Sequence, residues 1–371
     1  MTEFCNLTAR NCKLFFKDKG VFFTSLITPL ILLVLYATFL AKVYKNSFIA
    51  GIPQGISISE KLINAAVGGQ LVSSLLAVSC VTVAFCCNMI SVQDKVSGAR
   101  RDLTVSPVKK STLAISYYTA TLISTLIVCL LTSVICLIYL GKIGWYLNAK
   151  DIALAALDIV LLVLFGTALS SIINCFLKTQ GQISAVGTIV SSGYGFICGA
   201  YMPISQFGSG LQKVLSFLPG TYATSLLRNH ALAGVFREME SLSFPKQAID
   251  AIKDSVDCNI YFFDKSVPQS TMYIYLAACV AALVAIYALI SAKKRDKQKA
   301  ALHPLSGRRL ITKTPLLKHS IFNRHGQRLC RFFMPFSFSD AFGKERPAFQ
   351  AVNFAQKKRC VQMSRAQRFK D

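Results

Sequence analysis

The chain has 371 residues, 53% of them hydrophobic and 16% charged, with a mean hydropathy of +0.48 and a formal net charge of +24. That balance is too apolar for an ordinary soluble domain of this size and makes a membrane protein the first expectation. Six long apolar runs within the first 292 residues set aside the reading as buried helices of a large soluble protein.

Residues 1–20 carry acids and bases throughout, and no small-residue cleavage site follows the first apolar run, so no secretory signal peptide is expected. On a helical wheel Arg10, Lys13 and Lys17 fall on one narrow arc, while Phe4, Leu7, Leu14, Phe15 and Phe16 cover much of the remainder. This pattern predicts an interfacial elbow helix over 1–20 leading into the first span. The six spans are predicted at 21–41, within 61–94, within 110–142, at 152–177, from 183 to about 202, and at 271–292. Each supplies the roughly 20 residues that a hydrocarbon core of about 30 Å requires. The fold class is therefore an all-α membrane protein with a six-helix domain at 21–292.

Between the second and third spans lies a charged loop, 91–111, containing QDKVSGARRDLTVSPVKKS. Lys and Arg near span ends stay on the cytoplasmic side. With six spans the N-terminal segment, this loop, the Lys178 turn and everything from Lys293 onward share a side, and together they hold 30 of the 41 Lys and Arg. Both termini are accordingly expected to be cytoplasmic. The long segment 203–270, where six cations meet six acids, is expected outside. In it FGSGLQKVLSFLPGTYATSLLRNHALAG, broken at Pro219-Gly220 and interrupted by Lys213 and Arg228, reads as a re-entrant or interfacial hairpin. Beyond the hairpin, Ala248, Ile249, Ile252 and Val256 against Asp250, Lys253, Asp254 and Asp257 predict a solvated external helix. The tail, 293–371, holds twenty Lys and Arg against four acids. Two readings stand for it: a disordered extension resting on anionic membrane lipid, or a nucleic-acid contact, for which no recognisable module exists and no specific nucleic acid is expected.

Chemistry of the chain's own is sparse. Of thirteen cysteines most lie in or beside the apolar runs, where they act as small hydrophobes, and no C-x-x-C pair occurs. His230, His303, His319 and His325 have no metal-ligand spacing to a Cys or an acid, so no metal site is expected. A phosphate-binding G-x-x-x-x-G-K-[ST] loop is missing: Gly141-Lys142 runs into Ile143, and Gly343-Lys344 into Glu345. ATP hydrolysis by this chain itself is thereby excluded, and the spans contain no His for intramembrane hydrolysis. Asp158 is the one intramembrane acid to weigh. It is either a carboxylate hydrated near the headgroups and stabilised by the helix dipole, or a proton or cation site, and no intramembrane Lys, Arg or His is expected to partner it. Gly187, Ser191, Gly195 and Gly199 recur at intervals of four and predict a ridge along which another helix approaches closely.

Three stretches carry a family likeness. Gly98-Ala99-Arg100-Arg101-Asp102-Leu103 followed by Ser106-Pro107-Val108 resembles a "G-x-x-x-x-L … S-P-V" segment; GAYMPISQFGSGLQKVLSFLP, with Pro203, is similar to a span-five exit and amphipathic run; Leu218-Pro219-Gly220-Thr221-Tyr222-Ala223 through Arg228 is close to "P-L-T-Y-A … L-R". In this order they resemble the type-2 permease subunits of ATP-binding-cassette (ABC) exporters over about residues 1–292, with Gly220 standing where an apolar residue is more usual. The resemblance implies a homodimer or a pair of permeases docked on two separate ABC ATPase subunits, which hold the ATP and Mg; this chain holds no cofactor. It also implies a multi-pass protein of a bacterial plasma membrane exporting a drug-like, lipid or peptide substrate, with polysaccharide or lipid-linked glycan export as the alternative and a non-transporting receptor or scaffold as the second. Loop 91–111 is then expected to be the ATPase-coupling element, with Arg100, Arg101 and Asp102 at the contact. Ser106 is expected to cap the third span and Pro107 to be its first residue.

Overall fold

The computed structural model describes residues 2–42, 44–45, 59–106, 108–263 and 265–302. Two compact units divide the chain, Met1–Gly307 and Arg308–Asp371, and every described residue belongs to the first. The basic tail lies outside the described residues beyond Leu302, as does Pro107.

The chain begins with α1 (Thr2–Lys17) and α2 (Lys19–Leu35, prolonged by a π turn at Tyr36–Leu40). Asp18 separates them, and its carboxylate accepts the Val21 N–H at 3.2 Å to cap α2. A helix, α1, stands where the interfacial elbow was expected, and it contributes to the core of the bundle. Leu7, Thr8, Asn11 and Phe15 are buried, and the helix packs along α6, while Leu14 and Phe16 stay exposed.

The second apolar run forms α3 (Glu60–Cys87) and its short continuation α4 (Met89–Val96). Ser59 caps α3 by accepting the Leu62 N–H at 3.3 Å. Buried along almost its whole length, α3 is the hub against which α2, α6 (Lys110–Ile143), α7 (Ala149–Phe176), α8 (Gln180–Ile197) and α10 (Pro219–Ser241) all pack. Its small residues explain why: a Cβ on Gly69 would meet Leu232 Cδ2 at 2.8 Å, and one on Gly166 of α7 would meet the α3 backbone at Val81 Cα, 3.0 Å away. Helices approach closely where both surfaces are small.

Between α4 and α6 lies α5 (Ala99–Val105). After α8 come a 3-10 turn at Ile204–Gln206, α9 (Ser209–Leu215), α10, α11 (Lys246–Ser255) and the long α12 (Gln269–Leu302). Pro219 occupies the first turn of α10, where its missing N–H costs no hydrogen bond. The predicted hairpin is therefore a short helix α9 turning into a 23-residue helix whose body is buried against α3 and α7. A correction to the all-α reading is a two-residue antiparallel pair, β1 (Tyr261–Phe262) with β2 (Lys265–Ser266), in register Tyr261↔Ser266.

Among the described residues five helices are long and apolar enough to cross a membrane: Lys19–Phe39, Glu60–Val96, Ser111–Ile143, Ala149–Phe176 and Gln269–Lys293. The predicted fifth of the six spans is α8, which has 18 residues and closes early. Gly199, with φ +72°, turns the chain into the left-handed region just past its end, which glycine adopts without steric cost.

Candidate functional site

The charged loop folds as a helix on a hinge. Gly98 has φ +85°, and its carbonyl accepts the Arg101 N–H at 2.7 Å to open α5. Ser106 closes that helix: its backbone is extended, and its hydroxyl donates to the Leu103 carbonyl at 2.7 Å. Extended backbone is what a residue preceding proline adopts. This corrects the expectation that Ser106 caps the third span, since α6 opens at Lys109, which makes no side-chain cap. Leu103 turns inward against the core. Arg101, Asp102 and Val105 face out, Val105 at 82% exposure. Arg100 is half-buried, its guanidinium 5.7 Å from the centroid of the Tyr117 ring.

The foot of α5 is pinned by a residue that counting loop cations passes over. Asp94, on α4 and 7% exposed, accepts from Arg10 Nη1 of α1 at 2.8 Å and from the Tyr117 hydroxyl of α6 at 2.5 Å. The hydrogen bond to Asp94 raises the Arg10 pKa, so one charge-assisted node joins three helices.

Asp158 does have an imidazole partner. His230 of α10 places Nδ1 2.6 Å from Asp158 Oδ2, and Tyr273 of α12 donates to Oδ1 at 2.7 Å, with the His230 and Tyr273 rings stacked 6.3 Å apart. Asp158 is 1% and His230 6% exposed. The expectation of an unpartnered or headgroup-hydrated acid is overturned, because α10 carries His230 into the helix body instead of leaving it outside. The cluster ties α7, α10 and α12, and His230 also lines an apolar cavity of about 190 Å³ with Ala155 and Leu227.

Arg228, expected to interrupt a re-entrant or interfacial hairpin, is instead buried in the body of α10. It is 1% exposed, and its guanidinium donates to Val256 O (2.7 Å), Gly199 O (2.9 Å) and Ser74 Oγ (3.0 Å), 3.5 Å from Asp257 Oδ2. Asp257, assigned by periodicity to a solvated face, is 4% exposed and accepts the Ile204 N–H at 2.5 Å. It stands beyond the end of α11 at φ +52°, so the helical period no longer applies there. Burial raises its carboxyl pKa against the pull of Arg228. The rest of α11 follows the pattern, with Ala248, Ile249 and Ile252 buried.

The predicted packing ridge is not a single seam. A Cβ on Gly187 meets nothing within 4 Å; one on Gly195 runs into the Tyr201 ring of the following turn; Gly199 lies beyond the helix. Gly187 and Ser191 instead line a cavity of about 330 Å³ shared with Ser25 of α2 and Thr82 of α3. Pro203 introduces the 3-10 turn, and Gly220 packs where an added Cβ would touch the Tyr194 hydroxyl at 2.7 Å. Tyr222 donates to Ser216 O at 2.6 Å, closing the turn between α9 and α10.

These features define a multi-pass helical membrane protein with a short polar helix held against its bundle by Leu103. The model of the ABC-2 type transporter family matches residues 2–231, and the chain belongs to that family. It is thus an ABC permease, a transport component whose family pairs with an ABC ATPase subunit. A search among curated proteins finds no match.

Proposed function

We propose that this chain forms the membrane path of an ABC exporter, passing a drug-like, lipid or peptide substrate outward on ATP hydrolysis by a separate ATPase, with two permease chains per transporter and both termini on the ATPase side. The carrying observation is α5. It is short, presents Arg101, Asp102 and Val105 outward, and is rooted through Asp94 in α1, α4 and α6. Asp94 ties α4 to α1 and α6, so a displacement of α5 passed across the Gly98 turn into α4 reaches three helices. Charge on Arg101 and Asp102 suits a polar contact that docks and releases, and Val105, at the end of the helix, adds an exposed apolar side chain beside them.

The test is reconstitution of the full chain with its ABC ATPase in proteoliposomes. ATP-dependent movement of substrate, with ATP turnover faster than that of the ATPase alone, is the expected result. Turnover unchanged by the permease would contradict the reading. Transport that ran on a proton gradient without ATP, and stopped in Asp158→Asn, would replace it with an ion-coupled carrier.

A further inference from the structure

A polar cavity of about 340 Å³ lies beside α5, walled by α4, α5, the start of α6, the end of α7 and α12. Three cations line it from three separate parts of the chain: Lys95 on α4, Arg100 on α5 and Lys178 just after α7. Among the described residues its lining contains no Asp or Glu. The neighbouring acid, Asp94, is engaged by Arg10 and Tyr117. Lys95 has a local role, donating to Asn174 O at 2.5 Å and Leu177 O at 3.3 Å at the carbonyl end of α7. That role accounts for one charge of the three; neither Arg100 nor Lys178 forms an ion pair among the described residues.

Converging cations with no acid among them raise the local potential and favour an anion, and a guanidinium beside hydroxyls matches the oxygens of a phosphate. Ser91, Thr104 and Ser291 share the same walls, but the Ser91 and Thr104 hydroxyls donate to Asn88 O (2.9 Å) and Arg101 O (2.7 Å), so the cations are the groups that face an anion. On the outer sides of the two flanking helices Ile115 (53% exposed) and Leu289 (69%) offer apolar surface at the same level. We propose that this cavity is a phosphate-binding site, taking the headgroup of an anionic phospholipid or free phosphate, with Arg100 and Lys178 as its principal cations. Any effect of its occupant on coupling rests on the reading of α5 above; the binding does not.

The full-length chain alone, in phosphatidylcholine nanodiscs, tests it with two probes. One arm adds phosphatidylglycerol to the nanodisc and measures bound lipid by native mass spectrometry; the other titrates inorganic phosphate into phosphatidylcholine nanodiscs and follows the melting temperature. Removal of each basic side chain is expected to weaken binding roughly fivefold, so R100Q/K178Q should lose about 25-fold. The charge-preserving R100K/K178R should retain most binding, and K13Q/K17Q, which removes exposed cations of α1 outside the cavity, should bind like the unaltered chain. Lipid binding without phosphate binding assigns a headgroup; a phosphate response with the same dependence on the variants assigns the free ion. Binding unchanged in R100Q/K178Q, equal loss in K13Q/K17Q, or no binding of either probe would overturn the proposal.

Discussion

The Arg228–Asp257 pair shows what a single buried charge demands. Breaking such a pair strands an uncompensated ion, at a cost of about 3–5 kcal/mol, whereas replacing both members with apolar residues is far milder. Arg228→Leu should therefore unfold much more readily than the unaltered protein, and Arg228→Leu with Asp257→Leu should recover a substantial part of the loss. Thermal unfolding in detergent measures both; equal loss in single and double variants would mean that the hydrogen bonds to Gly199, Val256 and Ser74 matter more than the charge. The Asp158, His230 and Tyr273 cluster makes a related demand. Asp158→Asn keeps the shape but weakens the bonds to imidazole and phenol, so it is expected to loosen α12 from α7 and α10, read as faster amide exchange in α12 around Tyr273.

At the level of elements, close packing is concentrated where α3 meets its neighbours. Gly69→Val forces a side chain against Leu232 and the Ala231 carbonyl and should destabilise by about 1–3 kcal/mol, while Gly187→Val, with nothing within 4 Å, should be nearly neutral in the isolated chain. Comparative melting temperatures check this, and the reverse order would refute the packing described. The contrast also marks what the sequence could yield. The positions of five of the apolar helices, the chain break at Pro219 and the polar character of the segment between the second and third of them depend on local apolar runs and backbone preferences, and they were legible. The partner of Asp158 was not, because His230 is 72 residues away and is brought in only by the packing of α10 on α7. Asp257 was misplaced because the period of α11 was carried past its last turn, into a residue with left-handed backbone. The small-residue ridge failed for a similar reason: spacing identifies a smooth face but not what covers it, and the repeat Ala65, Gly69, Ser73 and Ala77 of α3, at the same interval of four, is the one whose glycine does meet another helix, at Leu232.

For the whole molecule, the bundle reads as a lever. The hub α3 is packed on several sides, and α1, α4 and α6 converge on Asp94, so on the proposed reading a displacement of α5 carried across the Gly98 turn is passed on to three helices together. Asp94→Asn should leave assembly with the ATPase intact while lowering the stimulated turnover, separating docking from transmission. The most direct test of the coupling role is Arg101→Glu with Asp102→Lys, measured as assembly with the ABC ATPase and as stimulation of its ATP turnover. Both residues are exposed, so the fold is expected to survive, with binding to the ATPase weakened roughly tenfold or more and stimulation lost. Full assembly and full stimulation in the charge-reversed chain would contradict the coupling role of α5.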